Sequence, residues 1–167
     1  MLGRKSPKRI LEFFLDNPSK EMRMTDIIAA TGLAKLSVMK WTKELAKHKF
    51  FSTLTIGRTN LYSLNKGNPS VRQFRVLYNV DYVNGKIGEM EEGVQVFLYG
   101  SFARGENMEK SDIDLLVIGK NRDVIRKLRK MDTRIKVSFY TPIEWSMTSR
   151  KDKTFFENVE KDKIRLR

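Results

Sequence analysis

The sequence predicts an α+β chain of two domains, a helical first part closed by a hairpin and a second part built on a small mixed sheet. Three observations carry this reading. Before residue 67, apolar residues recur at helical spacing in three stretches and then alternate in two short ones. Gly67-Asn68-Pro69 interrupts the chain. After Gly93, apolar runs of strand length take turns with helical segments. The expected organisation is a first domain over 1–67, a linking helix and connection over 68–92, and a second domain over 93–167.

The first predicted helix covers 7–16, with Ser6 as N-cap, Pro7 at the first helical position and an apolar stripe of Ile10, Leu11, Phe13 and Phe14. Asn17-Pro18-Ser19 ends it. Thr25 is expected to cap a short helix from Asp26 to Thr31, which Gly32 closes. A longer helix starts at Ala34 or Ser37 and runs to about His48, with Val38, Trp41 and Leu45 spaced for burial. Phe50–Ile56 and Asn60–Leu64 alternate like two strands joined by Gly57-Arg58-Thr59.

Residues 70–84 form the linking helix, which could pair with a twin in a second subunit or pack beneath the sheet; the sequence leaves both open. The second domain then reads as strand 94–99, short helix 101–107, strand 113–118, helix 121–131, strand 135–140, helix 142–149 and helix 152–160. A short basic tail, Ile164 to Arg167, finishes the chain.

Composition narrows the chemistry. The 167 residues contain no cysteine and one histidine, His48, which excludes disulfides, thiolate metal sites and imidazole-rich zinc sites. Any metal would be a hard, oxygen-bound ion. No apolar run approaches 18 residues and the basic N-terminus lacks an apolar signal core, so a cytoplasmic protein with no membrane partner is expected. The net charge of +13 is uneven: residues 1–70 hold 13 Lys/Arg against 5 Asp/Glu, whereas residues 71–167 hold 20 against 15. A cationic first domain attracts phosphate backbones through counterion release.

The most informative stretch is Gly100-Ser101-Phe102-Ala103-Arg104-Gly105 followed by Ser111-Asp112-Ile113-Asp114-Leu115. On a strand, residues two apart share a face, so Asp112 and Asp114 aim their carboxylates at one point. The preceding Gly-Ser turn opens a helix whose first N–H groups can meet phosphate. Together these are the minimum equipment for a metal-bound nucleoside triphosphate.

This G-S-x-A-R-G … S-D-I-D-L pattern resembles the nucleotidyltransferase superfamily that includes DNA polymerase beta, and most closely its minimal members, over roughly residues 94–140. The resemblance implies a small mixed sheet carrying a magnesium site on one edge. Gly100 and Ser101 would hold the terminal phosphates, Asp112 and Asp114 would bind Mg2+ as the catalytic carboxylates, and Arg104 would add a phosphate contact. The order of three helices and a hairpin in the first domain resembles a winged helix-turn-helix. That likeness implies a partner in double-stranded DNA, with Gly57-Arg58-Thr59-Asn60 as wing tip and homodimerisation in keeping with such regulators. Lys35, Ser37, Lys40, Lys43 and Lys47 would face outward from the third helix, Ser37 and Lys40 towards base edges, the other lysines and Arg58 towards phosphates.

The resemblance also implies a third carboxylate on the strand at 135–140. This chain has Lys136 and Ser138 in the available positions, with Asp132 and Glu144 outside the strand. Tyr140-Thr141-Pro142-Ile143-Glu144 resembles a stretch of regulators that join a winged helix to such a domain. Two readings follow. One is an enzyme that moves NMP from an NTP to a hydroxyl, with a partner protein as acceptor in the manner of toxin–antitoxin pairs. The other is a transcriptional regulator whose nucleotidyltransferase-like domain is catalytically inactive and serves nucleotide sensing or dimerisation.

Overall fold

A computed structural model describes residues 5–167. The chain divides into two compact units, residues 1–74 and 75–167, and the division falls within one helix.

The first unit begins with α1 (Lys5–Asp16), β1 (Met22–Arg23), α2 (Met24–Thr31) and α3 (Lys35–Lys47), and continues with β2 (Phe51–Ile56) and β3 (Thr59–Leu64). Helix α1 already includes Ser6, so Ser6 is not its N-cap. The cap expected at Thr25 lies earlier, at Arg23, because the Asp26 carboxylate accepts a 3.0 Å hydrogen bond from the Arg23 N–H. Gly32 closes α2 in the left-handed region, its N–H donating to the Ile28 carbonyl at 2.8 Å. Helix α3 starts after Ala34 and buries Val38, Thr42 and Leu45. Trp41, expected in the core, is only half-buried and lies beneath the Lys40 ammonium, 5.3 Å from the ring centroid.

Helix α3 ends in a Schellman arrangement: the N–H groups of Lys49 and Phe50 donate to the carbonyls of Ala46 and Leu45. Lys49 takes the left-handed position at φ 58°, where glycine is the ordinary choice. Its carbonyl accepts from the side-chain amides of Asn65 and Asn68 at 2.9 and 2.8 Å, which holds the strained residue in place. The three strands form an antiparallel sheet in the order β1-β3-β2. Thr59 belongs to β3, so the hairpin turn is Gly57-Arg58 alone; only Gly57 has positive φ, the pattern of a type II′ turn. The core gathers Ile10, Phe14, Ile27, Leu45, Phe51 and Leu64, with the Phe14 and Phe51 ring centroids 4.4 Å apart.

Helix α4 (Pro69–Ile87) carries the chain into the second unit. There follow β4 (Gln95–Tyr99), α5 (Gly100–Arg104), β5 (Ile113–Ile118), α6 (Asp123–Met131) and β6 (Ile135–Tyr140), then α7 (Pro142–Lys151), α8 (Lys153–Asp162) and β7 (Ile164–Arg165). The mixed sheet runs β6-β5-β4-β7, with β5 and β6 parallel and the other pairs antiparallel. The expected basic tail is therefore an edge strand: its apolar positions Ile164 and Leu166 alternate with Arg165 and Arg167, and it pairs with β4.

Alternation divides the sheet residues between two cores. Val96, Leu98, Ile113, Leu115, Val117 and Ile135 pack with Val83 and Ile87 of α4 and Leu128 of α6, so the end of α4 lies under its own sheet. Phe97, Leu116 and Ile118 on the opposite face pack with Trp145 of α7 and Val159 of α8, joined at the margin by Tyr99, Tyr140, Phe155 and Phe156. Among the described residues no helix is long and apolar enough to cross a membrane.

Candidate functional site

The Gly-Ser turn and the two aspartates meet where β4 passes into α5 beside the start of β5. Tyr99 pairs with Asp114 in the β4–β5 register, and Lys136 pairs with Asp114 in the β5–β6 register. Asp112, Asp114, Tyr99, Lys136 and Ser138 thus share the parity of the face that carries Leu116 and Phe97.

Gly100 has φ +71°, and a Cβ there would stand 2.7 Å from Asp114 Oδ2. No other residue type fits that position without moving the carboxylate. Helix α5 is shorter than expected: it starts at Gly100 and stops at Arg104, because Gly105 turns left-handed and returns its N–H to the last turn. Tyr99 at its N-cap makes no side-chain bond to the first turn.

Asp114 is half-buried and Asp112 is exposed. Burial against the aromatic face, reinforced by the negative charge of Asp112, holds the Asp114 carboxyl above its ordinary range, while Arg104 and Lys136 act in the other direction. A carboxylate raised by desolvation and by a second carboxylate is relieved by a cation, and the missing side chain of Gly100 lets Asp114 Oδ2 lie against the Gly-Ser turn. The pair therefore fits one hard, oxygen-bound ion. Among the described residues no group of three or more His, Asp or Glu side chains is clustered for a metal.

The position expected to hold a third carboxylate carries the opposite charge. Lys136 Nζ lies 3.9 Å from Asp112 Oδ1 as an exposed ion pair. Ser138, two residues on, shares a 3.0 Å hydrogen bond with the Tyr99 hydroxyl. Neither substitute is available. Asp132 accepts from Arg134 at 2.9 Å and from Tyr82 at 2.7 Å, and the Arg134 guanidinium above all holds its carboxyl well below the usual carboxylate range. Glu144 is the return half of a capping box, accepting from the Thr141 N–H at 2.7 Å while Thr141 Oγ1 accepts from the Glu144 N–H. The Thr-Pro-x-Glu stretch is accordingly a helix start, with Pro142 in the first turn.

Arg104, expected to contact phosphate, forms ion pairs with Glu106, at 2.8 Å, and with Asp162 at the end of α8. It braces α5 against α8 and adds positive field at Asp114. Nothing in the sequence marks that partner, which lies 58 residues away. A second unforeseen feature holds the loop that leads to Asp112. Asn79 donates to the Phe102 carbonyl and to Asn107 Oδ1, both at 2.8 Å, and the buried Arg75 guanidinium donates to the Asn107 carbonyl. Arg75 and Asn79, each four residues on in the row that continues through the buried Val83 and Ile87, were the available signal.

In the first unit, Lys35, Lys40 and Lys43 are exposed on α3 and Arg58 is exposed at the hairpin turn, whereas Ser37 is half-buried. Leu36 and Met39 are also exposed, at 79% and 43%, so the outward face of α3 is cationic and partly apolar.

In a comparison with protein families, residues 80–166 match the family described as Nucleotidyltransferase domain. A comparison with curated proteins gave no match.

Proposed function

The chain belongs to the nucleotidyltransferase-domain family, and from that premise we propose that it is a DNA-binding protein whose second unit binds a magnesium–nucleoside triphosphate at Asp112 and Asp114. The single observation that carries this is the close fit of Gly100 and Asp114: a Cβ at position 100 would stand 2.7 Å from Asp114 Oδ2, so the carboxylate keeps its place against the turn because residue 100 has no side chain. Asp112 and Asp114 would hold the ion, and the start of α5 at Gly100 and Ser101 would face the terminal phosphates. A bound Mg2+ neutralises triphosphate charge and orients the phosphoryl group. The protein's own residues do the rest. Gly100 keeps the turn close to the carboxylates, Arg104 and Lys136 offset the repulsion between the carboxylates, and the Tyr99–Ser138 bond ties β4 to β6 across β5.

The test is titration of the purified protein with ATP, GTP, CTP and UTP, with and without magnesium. Magnesium-dependent binding that is lost in Asp112→Asn plus Asp114→Asn, with the fold intact, supports the site. Equal affinity in that double variant refutes it.

Family membership and the intact aspartate pair favour a second reading, transfer of NMP to a hydroxyl acceptor such as a partner protein of toxin–antitoxin type. Incubation with each α-labelled NTP and candidate acceptors tests it, and label in the acceptor that vanishes with Asp112→Asn decides for it.

For the first unit, the order α1-α2-α3-β2-β3 and the sheet β1-β3-β2 support a winged helix-turn-helix with α3 as recognition helix. Exposed Lys35, Lys40, Lys43 and Arg58 would meet phosphates, Lys40 also lying near base edges, and half-buried Ser37 is the least accessible of the candidates. Replacing both Lys40 and Arg58 by alanine should weaken duplex binding and reduce the slope of log K against log salt by about 2, one per lost phosphate contact. An unchanged slope would show that this face is only solvated.

A further inference from the structure

Lys136 is an anomaly in a site built to attract cations. It is in register with Asp114 on the neighbouring parallel strand, and its ammonium reaches to 3.9 Å from Asp112 Oδ1. Two-ion phosphoryl sites need carboxylates to bridge ions about 3.5–4 Å apart. Asp112 and Asp114 can share one ion. A second would have to settle beside the ammonium: among the described residues no third carboxylate clusters with the pair, Asp132 being bound by Tyr82 and Arg134 and Glu144 by Thr141.

We propose that Lys136 is a built-in cation that stands in for a second divalent ion, so that the site loads one metal ion with its nucleotide. This rests on the assignment of Asp112 and Asp114 as the nucleotide site. The ammonium supplies positive charge towards a triphosphate without any ion. It has three donors and no acceptor, so it cannot take a proton from an incoming hydroxyl as a carboxylate would. Ser138, the other residue of β6 on this face near the pair, is occupied by Tyr99. The other cation acting on Asp114, Arg104, is engaged by Glu106 and Asp162, whereas Lys136 is paired with Asp112 itself.

The experiment counts ions. The full chain is titrated with Mn2+ in the presence of the α,β-methylene analogues of ATP, GTP, CTP and UTP, which cannot transfer NMP, and bound Mn2+ is read by electron paramagnetic resonance. The native protein should bind one Mn2+ per nucleotide, and Lys136→Asp should bind two. Lys136→Ala should still bind one, but its affinity for metal-free nucleotide should fall about tenfold, the worth of one charge-assisted contact. Two ions in the native protein would overturn the inference while leaving the aspartate site standing. So would a folded Lys136→Asp that still binds one, or unchanged metal-free affinity in Lys136→Ala. Absence of both ion and nucleotide from the native protein would overturn the aspartate site and this inference with it. Should Lys136→Asp fail to fold, the native stoichiometry and the Lys136→Ala affinity decide.

Discussion

Substituting Gly100 by alanine separates the two demands placed on this position. The first is conformational: at φ +71° an L-residue is in the left-handed region, at a cost of about 1–2 kcal/mol. For a unit of this size each kcal/mol shifts Tm by about 4–8 °C, so a clear drop is expected. The second is steric: the new Cβ would stand 2.7 Å from Asp114 Oδ2, well inside contact distance. The carboxylate is the mobile end of a short side chain, so it will swing away, relieving the clash but abandoning the point it shares with Asp112. Magnesium–nucleotide affinity should then fall by about 10- to 100-fold, the usual cost of misorienting a metal ligand. Gly93→Ala is the control, because Gly93 also has positive φ (+80°) but a Cβ there meets nothing within 4 Å. It should lose stability and keep its affinity. Thermal unfolding and calorimetric titration of both variants measure the two effects independently. Native affinity in Gly100→Ala, or an equal loss in Gly93→Ala, would refute the reasoning.

Three further outcomes are expected. Asp114→Asn should raise the Tm of the ligand-free protein at neutral pH while abolishing magnesium-dependent binding. Folding raises this carboxyl's pKa, so the folded state holds the proton more tightly and stability falls as pH rises through the raised value. A lower Tm at pH 7, measured by calorimetry, would contradict it. Asp132→Asn should cost about 2–3 kcal/mol, because a nearly buried carboxylate loses its charged bonds to Arg134 and Tyr82. The sign in pH is opposite here: with the folded pKa depressed, the contribution is present at neutral pH and disappears as pH falls below about 4, so native and variant denaturation curves should converge in acid. Lys49→Gly should stabilise the first unit by up to about 1 kcal/mol, since it removes left-handed strain at the end of α3 and leaves the Asn65 and Asn68 bonds to the backbone carbonyl in place. Urea unfolding with no gain in midpoint would show that the strain is already relaxed.

Much of this molecule was readable from local pattern. The strands at 113–118 and 135–140 were placed as apolar runs of strand length between helical segments, and Asp112 and Asp114 were set on one face by the two-residue period alone. Turn and cap chemistry acts over three or four residues, which is why Gly32 was identified as a helix terminator and Asn17-Pro18 as a breaker. Even local reading failed where two local signals competed: at Thr25, the Asp26 carboxylate captured the Arg23 N–H and moved the helix start two residues back from the expected cap. The aligned Ile164 and Leu166 show period two, but four residues give too little pattern to distinguish a strand from a tail until β4 offers its edge.

What the sequence determined by itself, then, was the identity and periodicity of the elements and the presence of a paired carboxylate after a Gly-Ser turn. Tertiary structure decided what stands around that pair. Strand pairing set Lys136 beside Asp114, α8 delivered Asp162 to Arg104, and Tyr82 and Arg134 removed Asp132 from contention. The physical reason is the range of the forces. Backbone propensity, capping and alternation act within a few residues of chain, whereas charge pairing and desolvation depend on distances in space between residues that the chain order leaves far apart.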